Sequence, residues 1–207
     1  DFPTDFVSRF NVAPTQPVAV VCDPLNRQVQ WMQWGLIPSW AKDPAIGIKL
    51  INARSETLLE KPSFRQSFTQ RRCLLVADGF YEWQKQPGRM PSLPHYFYLK
   101  DHRPFFFAGL WDEWKGPAGE QIRTCTILTT RPNEVVAAVH DRMPVIFEKE
   151  TAWSWLQPGQ PVERLLTLLG PFPAEQMAEH RVSREVNQAV IDSSLMIAPE
   201  WDAPTLF

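Results

Sequence analysis

The chain has 207 residues, 44% of them apolar and 21% charged, with a formal net charge of −2. That length suits one domain with a sizeable core, and the near-neutral balance excludes a general nucleic-acid coat protein. No apolar run approaches the roughly 18 residues of a membrane helix, and no basic stretch leads into an apolar one as in a secretory signal.

Twenty prolines spread along the chain limit helix length and favour short strands with irregular connections. Residues 17–22 and 27–34 read as two strands joined by an Asp23-Pro24-Leu25-Asn26 turn. Residues 49–53 form a short strand, and 63–70 a helix with Phe64 and Phe68 on one face and Ser63 as its cap. Strands at 72–77 and 80–85 flank Asp78-Gly79, a dipeptide that signals a type I′ hairpin. Strands at 95–100, 104–114 and 122–129 complete a β-rich middle. A helix over 132–139 opens on Pro132, a short strand follows at 145–147, and helices cover 148–156 and 161–169. The pattern predicts one α+β domain over residues 1–207, a twisted antiparallel sheet or partial barrel with short peripheral helices. A monomer in the cytoplasm is expected, with no membrane partner.

The charges are unevenly placed. Residues 41–103 carry eleven Lys/Arg against six Asp/Glu, and residues 148–207 four against nine. A local basic zone on a mildly acidic chain suits a confined anion site better than a long track. Cys22, Cys73 and Cys125 are far apart in sequence among apolar neighbours, which predicts buried, reduced thiols. His95, His102, His140 and His180 have no ligand-like spacing, so no metal site and no cofactor are expected.

Four segments could carry chemistry. In Trp34-Gly35-Leu36-Ile37-Pro38-Ser39-Trp40 two indoles flank a Gly/Pro-punctuated loop; they fit either the core or a platform on which bases stack. In Asn52-Ala53-Arg54-Ser55-Glu56 strand alternation puts Asn52 and Arg54 on one face. Arg54 offers a planar fork for phosphate, or a salt bridge to Glu56. Glu82 lies between Tyr81 and Trp83, where burial would raise its pKa into the range useful for acid–base work. His140 opens the polar knot His140-Asp141-Arg142-Met143-Pro144, with a carboxylate and a guanidinium one and two positions on.

Together with Asn11-Val12-Ala13-Pro14-Thr15 and Ala77-Asp78-Gly79-Phe80-Tyr81-Glu82-Trp83, these segments stand in the order and at the spacing of the SRAP family, which the chain resembles from about Asn11 to about Val190. The resemblance implies a sensor of abasic sites in single-stranded DNA. In that family a Cys exposed by loss of the initiator Met attacks the ring-opened aldehyde through its α-amine, and its thiol then closes a thiazolidine crosslink. An α-amine, with a pKa near 7.7–8.0, keeps a usable neutral fraction at pH 7.

By the same likeness Asn52 orients the amine, Glu82 shuttles protons, and His140 assists ring opening or a competing strand cleavage. Arg54 holds phosphate, Trp40 stacks on or wedges the DNA, and Trp34 and Trp83 add to the DNA-binding surface. Arg142, with Asp78, supports the site beside the DNA. This chain begins Asp1-Phe2-Pro3-Thr4 rather than with the family's Met-Cys-Gly-Arg-Phe. A form lacking the N-terminal segment is therefore expected to bind abasic DNA without a stable crosslink. Two rivals are a cysteine-type peptidase or amidase pairing His140 with Cys73 or Cys125, and a non-catalytic module for single-stranded nucleic acid.

Overall fold

The computed structural model describes residues 7–200. Eleven strands and four α-helices follow one another, interspersed with 3-10 turns. The β-branched run of β1 (Pro17–Val21) pairs antiparallel with β2 (Val29–Trp34) and with β4 (Arg72–Ala77). Beyond β4 lies β7 (Phe105–Lys115), which also pairs with β8 (Gln121–Thr130), and β8 runs parallel to β2. Strands β7, β4, β1, β2 and β8 therefore close into a ring. On its margins β3 (Asn52–Arg54) runs parallel to β8, while β9 (Met143–Pro144) and β10 (Ile146–Phe147) join β8 and β7. A separate three-stranded sheet orders β11 (Met177–Arg181), β6 (Leu93–Leu99) and β5 (Gly79–Gln84).

Two apolar clusters hold these layers. One sits under the helices: Phe64 and Phe68 of α1 (Pro62–Gln70) and Trp155 of α3 (Lys149–Leu156) press on Leu74, Leu110 and Leu128. Trp155 is fully buried and its Nε1 donates to the Cys73 carbonyl at 3.1 Å, satisfying the one polar atom the indole takes inside. The other cluster fills the space between ring and small sheet, where Phe97 and Leu99 meet Val20, Phe107 and Ile127. Burying side chains this large contributes about 1.5–3 kcal/mol each. Between them α2 (Glu134–Ala137) and α4 (Val162–Thr167) are short.

The mixed α+β architecture and most strands lie where the sequence pattern puts them, and four local expectations are revised. Asp78-Gly79 is not a hairpin, because β4 and β5 belong to different sheets and the chain crosses between them there. Gly79 is needed for a close approach: a Cβ would lie 2.2 Å from the Tyr96 ring. Ser63 does not cap α1; Pro62 occupies the first turn and the N-cap, Lys61, makes no side-chain cap bond. Asn133 rather than Pro132 opens α2, its side chain accepting from Val136 N at 3.0 Å. Residues 44–49 form a 3-10 turn, so the strand expected from residue 49 starts at Asn52, and β11 had no clear alternation to announce it.

Candidate functional site

Glu82 stands on β5 and faces the loop that follows α2. A side-chain bond from Gln84 to the Ala138 carbonyl at 3.0 Å ties the two together. Across this gap Glu82 Oε2 lies 3.7 Å from His140 Nδ1, with the two side chains 21% and 32% exposed. Burial pushes the Glu82 carboxyl up from 4.5 to about 7; His140 opposes this and Asp141 adds to it. A group that ionises near neutrality can both donate and accept a proton, which is the property asked of a general acid–base catalyst. His140 Nδ1 also lies 3.1 Å from both the Arg142 N–H and the Arg142 carbonyl, so the ring is steadied whichever nitrogen carries its proton.

Arg142 locks this loop to the ring. Its guanidinium donates to both Glu56 oxygens at 2.8 Å and to the Thr129 carbonyl at 2.7 Å. Those bonds hold the Glu56 carboxyl below its usual range. Glu56 thus pairs with a residue 86 positions on rather than with Arg54. Among the described residues Arg54 has no ion-pair partner.

Asn52 and Arg54 are both exposed on one face of β3, with Ala53 buried between them. Parallel pairing puts Arg54 opposite Thr129, the residue that also receives Arg142 and pairs with Pro144 of β9. One end of β8 therefore gathers the Asn52/Arg54 strand and the His140 loop.

The indoles are distributed differently. Trp34 is half-buried, packs against the core and donates from Nε1 to the Ile51 carbonyl at 2.8 Å. Trp40 is 56% exposed, on a loop whose Ser39 N–H donates to Asp112 Oδ2 at 2.8 Å. That loop is held close at Gly35, where a Cβ would meet the Gly47 carbonyl oxygen at 2.7 Å and φ is +127°. Trp83 alternates to the opposite face of β5 from Glu82, its Nε1 donating to Asn187 Oδ1 at 2.8 Å. Asp78 is exposed at the crossing between the sheets.

Sequence reasoning missed several anchors. Tyr81 OH donates to the Phe10 carbonyl at 2.6 Å, and Asp192 accepts from the Phe10 N–H at 2.6 Å and the Asn11 N–H at 3.1 Å. The buried Asn11 amide donates to the carbonyls of Val186, Gln188 and Ile191. Asp192 had no sequence signal; Asn11 and Tyr81 lay inside quoted motifs, which could have flagged them. Asp1, with which the sequence begins, lies outside the described residues.

Burial raises the Cys73 and Cys125 thiols, whereas Cys22, expected to be buried, is only half-buried. That is the reverse of what a nucleophilic thiolate facing His140 requires. Among the described residues no group of three or more His, Cys, Asp or Glu could hold a metal ion, and no helix is long and apolar enough to cross a membrane.

Fold and site together define an α+β ring protein with a carboxylate–imidazole contact beside a strand bearing an exposed amide and guanidinium. The chain belongs to the SRAP family, whose model, SOS response associated peptidase, matches residues 2–189. It is 44% identical over 190 residues to the abasic site processing protein YoqW of Bacillus subtilis, covering 91% of this chain and 84% of that one. Its identity to the abasic site processing protein HMCES of Xenopus tropicalis is 34%, over 81% of this chain and 56% of that one. A crystal structure of a protein from Bacteroides thetaiotaomicron superposes with a TM-score of 0.82 at 28% identity, covering 90% of this chain and 82% of the other. A second, from Bordetella bronchiseptica, gives 0.74 at 29% identity, over 83% of this chain and 86% of that one.

Proposed function

We propose that this protein captures abasic sites in single-stranded DNA, with Glu82 and His140 as the pair that moves protons for the chemistry. The observation that carries the reading is their contact: 3.7 Å apart, with the carboxyl held near pH 7 by burial.

In this reading the nucleophile is the N-terminal Cys characteristic of the family. Its α-amine adds to the aldehyde carbon of the ring-opened sugar. Glu82 in its acid form protonates the departing hydroxyl, so that water leaves and an imine forms. The thiol then adds across the C=N bond, its sulfur to carbon and its proton to nitrogen, and closes the five-membered ring. Carrying amine and thiol on one residue gives the second bond a high effective molarity. Asn52 orients the amine, and Arg54 takes the phosphate beside the lesion. His140 assists opening of the sugar and any competing strand cleavage. Trp40 supplies the stacking face for a neighbouring base, a contact worth about 1–3 kcal/mol. Trp34 stays with the core and Trp83 with Asn187 on the far face of β5, and Arg142 holds His140 in place.

The test uses this chain extended by the family's N-terminal Met-Cys-Gly-Arg-Phe segment, from which the Met is removed, and an oligonucleotide bearing one abasic site, read on a denaturing gel. A heat-stable adduct is expected with the single-stranded abasic oligonucleotide and none with the undamaged one. Glu82→Gln should slow adduct formation by about 10²–10⁴-fold. Adduct formation at the parental rate in Glu82→Gln, or equal capture of undamaged DNA, would overturn the assignment.

A further inference from the structure

A cavity of about 490 Å³ opens where β1, β2, β4 and β7 meet the start of α3. Small-molecule sites span roughly 300–1,000 Å³, and none of the residues assigned to the abasic-site chemistry lines this one. Its walls are apolar, with Val29, Val76, Phe106 and Phe147 on three sides and the Trp153 indole on another. The Trp153 and Phe106 rings pack with centroids 5.6 Å apart. Trp153 Nε1 is buried without a hydrogen-bond partner among the described residues, so this wall is less completely satisfied than the rest of the interior.

Four charged side chains also line the cavity: Arg27, Arg103, Glu148 and Lys149. Arg103 and Glu148 neutralise each other at 2.9 Å. The two remaining cations have no carboxylate partner among the described residues. Arg27 donates from Nε to the Pro24 carbonyl at 3.2 Å and stands 4.5 Å from the Trp153 ring centroid. Lys149 is exposed, four positions before Trp153 and so on the same face of α3. The N-cap, Glu148, makes no side-chain cap bond, so the free N–H groups of the first helical turn add positive potential beside Lys149.

We infer that this cavity binds a small amphipathic acid, its carboxylate taken by Arg27 and Lys149 and its hydrocarbon chain by the valine and phenylalanine walls. A guanidinium fork matches the geometry of a carboxylate, and the ammonium of Lys149 adds a second point charge. Burial of the chain supplies most of the affinity, at about 0.8 kcal/mol per methylene, or fourfold in binding. An uncharged chain would leave both cations unmatched, and a cationic one would be repelled by them. The site is separate from the proposed DNA chemistry and does not depend on it.

The experiment titrates the protein with octanoate by isothermal calorimetry, alongside hexanoate, octan-1-ol and octyltrimethylammonium. Octanoate should bind saturably at one site, and hexanoate, two methylenes shorter, about fifteenfold more weakly. Octan-1-ol should bind more weakly than octanoate, and the cation not at all. Reversing both charges in Arg27→Glu/Lys149→Glu should weaken octanoate by about tenfold or more and leave octan-1-ol unchanged, which also shows that the walls are intact. Should that variant lose both ligands, Lys149→Gln alone decides, because residue 149 is exposed and the exchange leaves the helix undisturbed; a loss of a few-fold for octanoate only is then expected. No saturable binding of octanoate at millimolar concentration would overturn the inference. Equal affinity for octanoate and octan-1-ol would remove the carboxylate from it and overturn it as well. Unchanged octanoate binding in the charge-reversed protein, or in Lys149→Gln where that variant decides, would place the acid elsewhere, with the same consequence.

Discussion

The buried carboxyl of Glu82 makes a prediction about stability that is independent of DNA. Its ionisation is displaced from 4.5 to about 7 in the folded protein, so between those values the native state binds more protons than the unfolded one. Stability must therefore fall as pH rises through this window. The ionised form above it is disfavoured by about 3 kcal/mol relative to the protonated one. Glu82→Gln removes the ionisable group while keeping its size and polarity. We expect the variant to match the parent near pH 4.5 and to be more stable at pH 8 by up to about 3 kcal/mol, a large fraction of the 5–15 typical of a domain. Loss of the Glu82–His140 attraction, across 3.7 Å between partly exposed side chains, subtracts from that gain. Urea unfolding of both proteins at pH 4.5, 6 and 8 reads the difference directly. An identical stability difference at pH 4.5 and pH 8 would refute the claim that burial holds this carboxyl protonated. The same substitution should abolish most of the proposed activity, so a gain in stability and a loss in function belong to one residue.

Native-state alkylation at pH 8 followed by mass spectrometry should label Cys22 and spare Cys73 and Cys125, whose thiols burial pushes up; labelling of all three only after denaturant is added completes the check. Gly79→Ala should destabilise by about 1–3 kcal/mol in thermal or urea unfolding, because the added methyl meets the Tyr96 ring at 2.2 Å. Arg54→Ala should weaken binding to single-stranded DNA irrespective of sequence and flatten the log–log salt dependence by about 0.7, one phosphate contact fewer, as read by fluorescence anisotropy across a salt series.

The sequence by itself determined the class of fold and the residues to watch. Short β-branched runs between Pro and Gly carry their own period, so β1, β4, β7 and β8 stand within a residue or so of where alternation puts them. The alternation of Asn52, Ala53 and Arg54 likewise follows from strand geometry and holds in β3. Partnerships between distant segments were decided only by the tertiary structure, because local pattern says nothing of what lies across a sheet or loop. Asp78-Gly79 reads locally as a hairpin; the fold uses its small glycine to cross beneath Tyr96 from one sheet to another. Glu56 looks like a partner for its neighbour Arg54 and is instead taken by Arg142. Glu82 lies 58 residues from His140 in the chain and 3.7 Å from it in space. A carboxyl's acidity depends on what surrounds it in three dimensions, so its environment had to wait for the fold.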